Sequence, residues 1–258
     1  MSVTLKTYLV ASVTAAMISG TAAVYADSAP AAAAPAEEKS WEVSVGFDLW
    51  SEYIFRGVAI QDNAPMYNPS ASFSWNGFSA WYWGAYGDSD TNGEHYEEND
   101  YGIDYTLSLF DEKLSLTAGA LMYHYPDRSG TDTYELYAIA SYDCLLTPTV
   151  AYYWDFDEFG ASYLTLGVSH SFDLGKLVKL EEPKALSLDL SASLGIDFEY
   201  NSSDTQLNDI LLGAKVPFQV TENFEVHAGV QLSIALDALD DIGQDDELIG
   251  NIGASFTF

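Results

Sequence analysis

Residues 186–200, fifteen positions reading LSLDLSASLGIDFEY, alternate without a slip. Leu186, Leu188, Leu190, Ala192, Leu194, Ile196, Phe198 and Tyr200 fall on one face. Ser187, Asp189, Ser191, Ser193, Gly195, Asp197 and Glu199 fall on the other. Successive side chains of an extended chain point to opposite faces, so a sustained period of two predicts a strand. The design recurs from Trp41 onward, in runs at 41–57, 67–76, 78–87, 99–110, 113–125, 133–144, 148–157, 161–173, 185–200, 206–218, 222–236 and 247–258. That makes twelve predicted strands, with no helix-period stretch between them.

The connections differ in kind. Those after odd-numbered runs are mostly long and acidic (58–66, 88–98, 126–132, 201–205, 237–246), while those after even-numbered runs are mostly short, such as Asn76-Gly77 and Asp111-Glu112. The short 158–160 and the long 174–184 depart from the rule. Short turns at one end and long loops at the other match outer-membrane barrels, and an even strand count brings both termini to the periplasmic side.

The polar face says what the apolar face looks at. A soluble sandwich covers its wet side with Lys, Glu, Thr and Arg, whereas here that side is Ser, Gly, Thr and Asp. In 99–110, Tyr101, Ile103, Tyr105, Leu107 and Leu109 stand opposite Gly102, Asp104, Thr106 and Ser108. Small polar groups suit a narrow wet lumen and leave the apolar face to lipid. The expected fold is therefore all-β: a transmembrane antiparallel up-and-down β-barrel of twelve strands spanning 41–258. Trp41, Trp50, Tyr53, Phe55, Trp75, Phe78, Trp81, Tyr82, Trp83, Tyr86, Tyr152 and Trp154 gather near predicted strand ends, the place for amphipathic rings at membrane interfaces. The chain finishes IGASFTF, and a terminal Phe258 on an amphipathic last strand resembles the assembly signal of bacterial outer-membrane proteins.

The N-terminus gives the compartment. Residues 1–26 place Lys6 before an apolar stretch and end in small residues at Ala26, a secretory signal peptide. Residues 27–40 are an Ala/Pro-rich periplasmic spacer. The chain carries 9 Lys+Arg against 39 Asp+Glu. Removing 1–26, which holds Lys6 and no acidic residue, leaves a net charge of −31. Such acidity excludes nucleic acid as a partner. A single cysteine, Cys144, excludes an intramolecular disulfide and reads as a small buried or lipid-facing residue.

Residues 51–65, SEYIFRGVAIQDNAP, resemble the S-[DE]-Y-x-F-R-G opening of the TorF-type porin family of predicted Gram-negative outer-membrane proteins. Ser51, Glu52, Tyr53, Phe55, Arg56 and Gly57 match it, and Asp62-Asn63 with Pro65 resembles the D-N-x-P that follows. Ala59-Ile60 stands where that family has Ser-Gln. The resemblance implies a small porin-like barrel.

Candidate chemistry is electrostatic. On the lumen face fall Asp48, Asp104, Glu135, Asp189, Asp197, Glu199 and Glu225, against Lys215, with Glu52 and Arg56 near the mouth. Rings of carboxylates favour cations in a pore. Arg56 either lines a constriction or pairs with Glu52 or Asp62. Asp88, Asp90 and Asn92 match the opening of a calcium loop, without its closing Glu or flanking helices. They are the candidate Ca2+ or Mg2+ site, against a solvated acidic loop, and no other cofactor is expected. His170 sits between Ser169 and Ser171 but on the opposite face, so no enzymatic activity is expected. The expected function is a porin-like, cation-preferring outer-membrane channel for small solutes. The alternative is a plugged structural or adhesion barrel. Expected partners are outer-membrane lipid and lipopolysaccharide, the β-barrel assembly machinery and small solutes.

Overall fold

The computed structural model describes residues 41–61, 64–87, 95–126 and 132–258. The signal peptide, the spacer and the Asp88, Asp90, Asn92 loop lie outside these residues. Twelve strands close into one antiparallel barrel: β1 (Trp41–Trp50), β4 (Met66–Trp75), β5 (Phe78–Gly87), β6 (Tyr96–Leu109), β7 (Leu114–His124), β8 (Thr133–Tyr142), β9 (Thr149–Asp155), β10 (Ser162–Asp173), β11 (Ala185–Phe198), β12 (Thr205–Thr221), β13 (Phe224–Ala235) and β14 (Glu247–Thr257). Each strand pairs with its neighbours in sequence, and β1 pairs with both β4 and β14 to close the ring. Closure leaves no sheet edge, the condition for a sheet to sit in hydrocarbon. At the seam the Phe258 N–H donates to the Val43 carbonyl at 2.9 Å, and the Phe258 ring rests 4.8 Å from that of Phe256.

The alternation sorts as the sequence implies. Val45, Phe47, Phe73, Ile103, Leu136, Val150, Leu166, Leu190, Leu212, Val230 and Ile252 form an exposed outward band. A contiguous apolar surface of that extent is unfavourable in water and favourable against acyl chains. Rings flank the band at both ends: Trp41, Trp75, Phe78, Phe172 and Phe256 toward the termini, and Tyr67, Tyr101, Tyr134, Tyr152 and Trp154 toward the loops.

Four expectations need correction. The run 41–57 is not one strand: the wall leaves at Trp50 and the chain folds inward as a small hairpin, β2 (Ile54–Phe55) and β3 (Val58–Ala59). Not all the terminal aromatics face the membrane interfaces, since Trp50, Tyr53, Phe55, Trp81 and Trp83 pack inside the barrel. Aromatic alternation alone cannot tell a lipid-facing ring from a plug-facing one. Third, the connections hold two short helices, α1 (Gly175–Val178) and α2 (Asp237–Ile242), each ended by a left-handed residue, Lys179 and Gly243. Finally, Cys144 is exposed in the turn after β8, which excludes the buried one of its two expected settings.

Inside, the two ends of the barrel differ. Toward the termini the inward residues are small, polar and partly exposed, among them Ser44, Ser70, Ser187, Asp189 and Ser255, so the lumen there is a vestibule. Toward the loops it is filled.

Candidate functional site

The filling is the hairpin. Phe55 and Val58 pair across a two-residue turn, Arg56-Gly57, with φ of 49° and 80°. Two successive left-handed residues make the primed turn that matches the twist of paired strands. Gly57 is required twice over, because an added Cβ would also stand 2.4 Å from Leu239 Cδ1 of α2. Arg56 holds its left-handed backbone at a cost of about 1–2 kcal/mol, which the surroundings must offset. Gly57→Ala is expected to unseat the hairpin while leaving the wall intact. The check is protease cleavage within 51–61 of the detergent-folded protein, rare in the wild type and frequent in the variant.

The hairpin meets both the wall and the connections at that end of the barrel. The Arg56 carbonyl accepts from Asn208 Nδ2 at 2.8 Å and Asn201 Nδ2 at 3.2 Å. The Ala59 N–H donates to Gln244 Oε1 at 3.0 Å, and the Ser51 N–H to the Gly250 carbonyl at 2.9 Å. The Tyr53 ring lies 5.5 Å from Trp83 and 5.9 Å from Tyr96, and Phe55 stands edge-on to Tyr123 at 5.7 Å. A crevice lined by Trp50, Glu52, Tyr53, Ile54, Asn68, Trp83 and Ile249 has a volume of about 10 Å3. That is on the order of a single water.

Arg56 is at the centre, 2% exposed. Its Nη2 lies 2.7 Å and 2.9 Å from the two oxygens of Glu135, which is fully buried on β8. The guanidinium carbon stands 4.3 Å from the Tyr200 ring centroid, 4.8 Å from Phe55, 5.1 Å from Tyr163 and 5.3 Å from Tyr153. A planar, weakly hydrated cation among ring faces with one carboxylate is a cation–π cage. The Tyr123 hydroxyl also donates to Glu135, at 2.8 Å. The Arg56 partner is thus Glu135, across the lumen, and not Glu52. Asp62 lies outside the described residues.

Other carboxylates surround the cage. A bulge in β12 sets Asn208 and Asp209 opposite Gly195, so both side chains turn inward. Gly195 leaves the room for this, since a Cβ there would stand 2.2 Å from Asp209 and 2.1 Å from the Tyr163 hydroxyl. Asp209 accepts from Tyr163 and from Asn208. Asp155 accepts from Thr133 and from the N–H groups of Asp157 and Phe159. Glu98 accepts from Tyr96 and Tyr125, and beside it Asp100 is fully buried. Burial raises the Tyr53, Tyr125 and Tyr200 hydroxyls above their ordinary range, in Tyr200 against the pull of Arg56. These phenols stay protonated and can only donate to the acids around them.

The residues singled out in the sequence separate into four places. Glu52 and Arg56 belong to the plug, and Glu135 to the wall that holds it. Asp197, fully buried, accepts from the backbone N–H groups of Tyr200, Asn201 and Ser202, so it organises the β11–β12 loop and does not line open lumen. Glu199 is off the lumen face altogether, an exposed left-handed residue of that loop (φ 61°). Asp104 sits mid-barrel, accepting from Trp81 at 3.1 Å and Tyr137 at 2.8 Å. Asp48, Asp189, Lys215 and Glu225 lie on the vestibule wall. There Asp48 meets His227 at 2.7 Å and Asn251 at 3.2 Å, and Glu225 reaches the same imidazole at 3.8 Å. Asp189 accepts from Ser171 at 2.6 Å and faces Lys215 in the β11–β12 register. His170 points outward against Phe172 at 4.5 Å, while Ser169 and Ser171 point inward. Among the described residues, no group of three or more His, Cys, Asp or Glu is arranged to hold a metal ion.

Glu98, Asp100, Asp155 and Asp209 are site residues that the sequence reading missed. Glu98 fell outside a run begun too late, at 99, and Asp209 is turned inward only by a bulge that alternation cannot register.

No family model matches this chain. No curated protein matches it either. Among solved structures it is similar to the KdgM porin, at 12% identity over 83% of this chain and 99% of that one, with a TM-score of 0.55. It is similar also to the NanC porin, at 14% identity over 84% of this chain and 98% of that one, with a TM-score of 0.50. Both likenesses run nearly the full length of the porin, and at such identity they are likenesses of fold: this chain folds as a small porin barrel.

Proposed function

We propose that this protein is a porin-like channel of the outer membrane that passes small solutes passively and prefers cations, with the 51–61 hairpin as its constriction. The observation that carries the reading is the interior charge. Glu98, Asp100, Asp104, Glu135 and Asp189 line one closed wall, and Arg56 and Lys215 are the cations set against them among the described residues. A low-dielectric wall concentrates the field of such a set and draws in cations.

In this reading residues 1–26 direct export and 27–40 lie in the periplasm. Both termini and the vestibule face the periplasm, with the hairpin near the outer surface. Phe258 on the closing strand is the mark read by the assembly machinery. Lys113, Lys176, Lys179 and Lys184 sit in or beside turns at the terminus end, outside the pore.

One observation favours a second reading. A hairpin held by both the wall and the connections around it suits a permanently plugged structural barrel, its acidic outer loops bridging lipopolysaccharide or a partner through divalent cations. Planar-bilayer recording separates the two. The channel reading expects discrete K+ conductance steps from the wild type, brief and small. A bilayer that stays silent with wild type and hairpin variants alike leaves the structural barrel.

A further inference from the structure

The seat of Arg56 meets its head group with ring faces and with one carboxylate on Nη2, and these groups stay with the barrel when the hairpin moves. Phe55 leaves with Arg56. Tyr153 on β9, Tyr163 on β10, Tyr200 on the β11–β12 loop and Glu135 on β8 remain. What is left is a box of ring faces closed on one side by a carboxylate. Inorganic cations prefer hard oxygen ligands and gain little from ring faces. A guanidinium is planar and weakly hydrated, stacks on such faces, and pairs with a carboxylate through two N–H groups. Below the box, Asp189 and Asp48 on the vestibule wall and Asp104 mid-barrel offer further carboxylates.

We propose that this box is a binding site for guanidinium-bearing organic cations, that such cations are the solutes the channel selects, and that Arg56 is a tethered stand-in they displace. The proposal rests on the channel reading above and names the solute class of the same site. A tethered group competes at an effective concentration in the millimolar range, so displacement needs solute at about that level. Selection and opening are then one event: the cation that fits the box also releases the hairpin.

The test uses the mature, refolded protein with methylguanidinium chloride as probe and KCl at equal ionic strength as reference. With Arg56→Ala the box is empty. Methylguanidinium is expected to raise the temperature of the gel-mobility unfolding transition, with a half-effect concentration at least about tenfold lower than that of K+ (about 1.4 kcal/mol). Methylammonium should be weaker. In Arg56→Ala with Glu135→Gln the preference should vanish. Equal effects of methylguanidinium and K+, or a preference that survives Glu135→Gln, overturn the proposal. Stabilisation without conductance in any variant keeps the site and removes the channel. Conductance without a methylguanidinium effect keeps the channel and removes the site. If Arg56→Ala does not assemble, the wild type decides: methylguanidinium should raise its K+ current where KCl of the same strength does not, and an indifferent current overturns the proposal.

Discussion

Arg56→Ala is expected to raise the time-averaged K+ conductance of the channel by an order of magnitude or more. Removing one partner of a buried ion pair typically costs about 3–5 kcal/mol, because the other charge is left uncompensated. Glu135 regains water only if the hairpin moves out, so the penalty falls on the seated state. At about 1.4 kcal/mol per tenfold, a penalty of that size shifts the balance of seated and released hairpin by a factor of about 10² to several times 10³. The ring contacts that hold the guanidinium are lost in the same step. Averaged current in planar bilayers checks this. A variant with wild-type open probability and step size would mean that the hairpin does not limit passage.

The second large effect is thermodynamic. Glu135→Gln leaves a guanidinium, which cannot deprotonate, in a site 2% exposed with a neutral amide in place of its counter-charge. It is expected to cost about 3–5 kcal/mol of stability in detergent-folded protein. The double variant, Arg56→Ala with Glu135→Gln, removes both charges and should cost clearly less than the two single losses added together. Denaturant unfolding followed by tryptophan fluorescence gives the cycle, with Trp81 and Trp83 close to the plug as reporters. Additive losses would mean that the 2.7 Å pair carries no coupling, and that ring packing alone seats the hairpin.

The barrel was legible in the sequence because its cause is local. A period of two depends on the wall having one lipid side and one lumen side, and every strand writes that on itself, as 186–200 does. The plug was not legible, because its cause is long-range. Tyr53 and Phe55 continue the alternation of β1, yet their rings pack on Trp83 and Tyr123 of distant strands. The one local hint was Arg56-Gly57, a turn signal inside an apolar run. Charge was legible in kind and not in place: the acidic lumen could be counted, but which acids meet Arg56 depends on a closure that joins residue 56 to residue 135. Asp197 shows the limit from the other side. It sits on the expected face, and its oxygens are taken by three N–H groups of the loop that follows it.

The most direct test of a cation-preferring channel is the zero-current potential across a KCl gradient, taken on the wild type and on Arg56→Ala at neutral and at acid pH. At neutral pH both should reverse on the cation side, the variant more strongly because it has lost the one cation of the plug. At acid pH, where carboxylates as a class protonate, the potential should fall toward zero. Asp189→Asn with Asp48→Asn should reproduce part of that fall without acid. A reversal potential on the anion side at neutral pH, or one indifferent to both protonation and the two substitutions, would contradict the account.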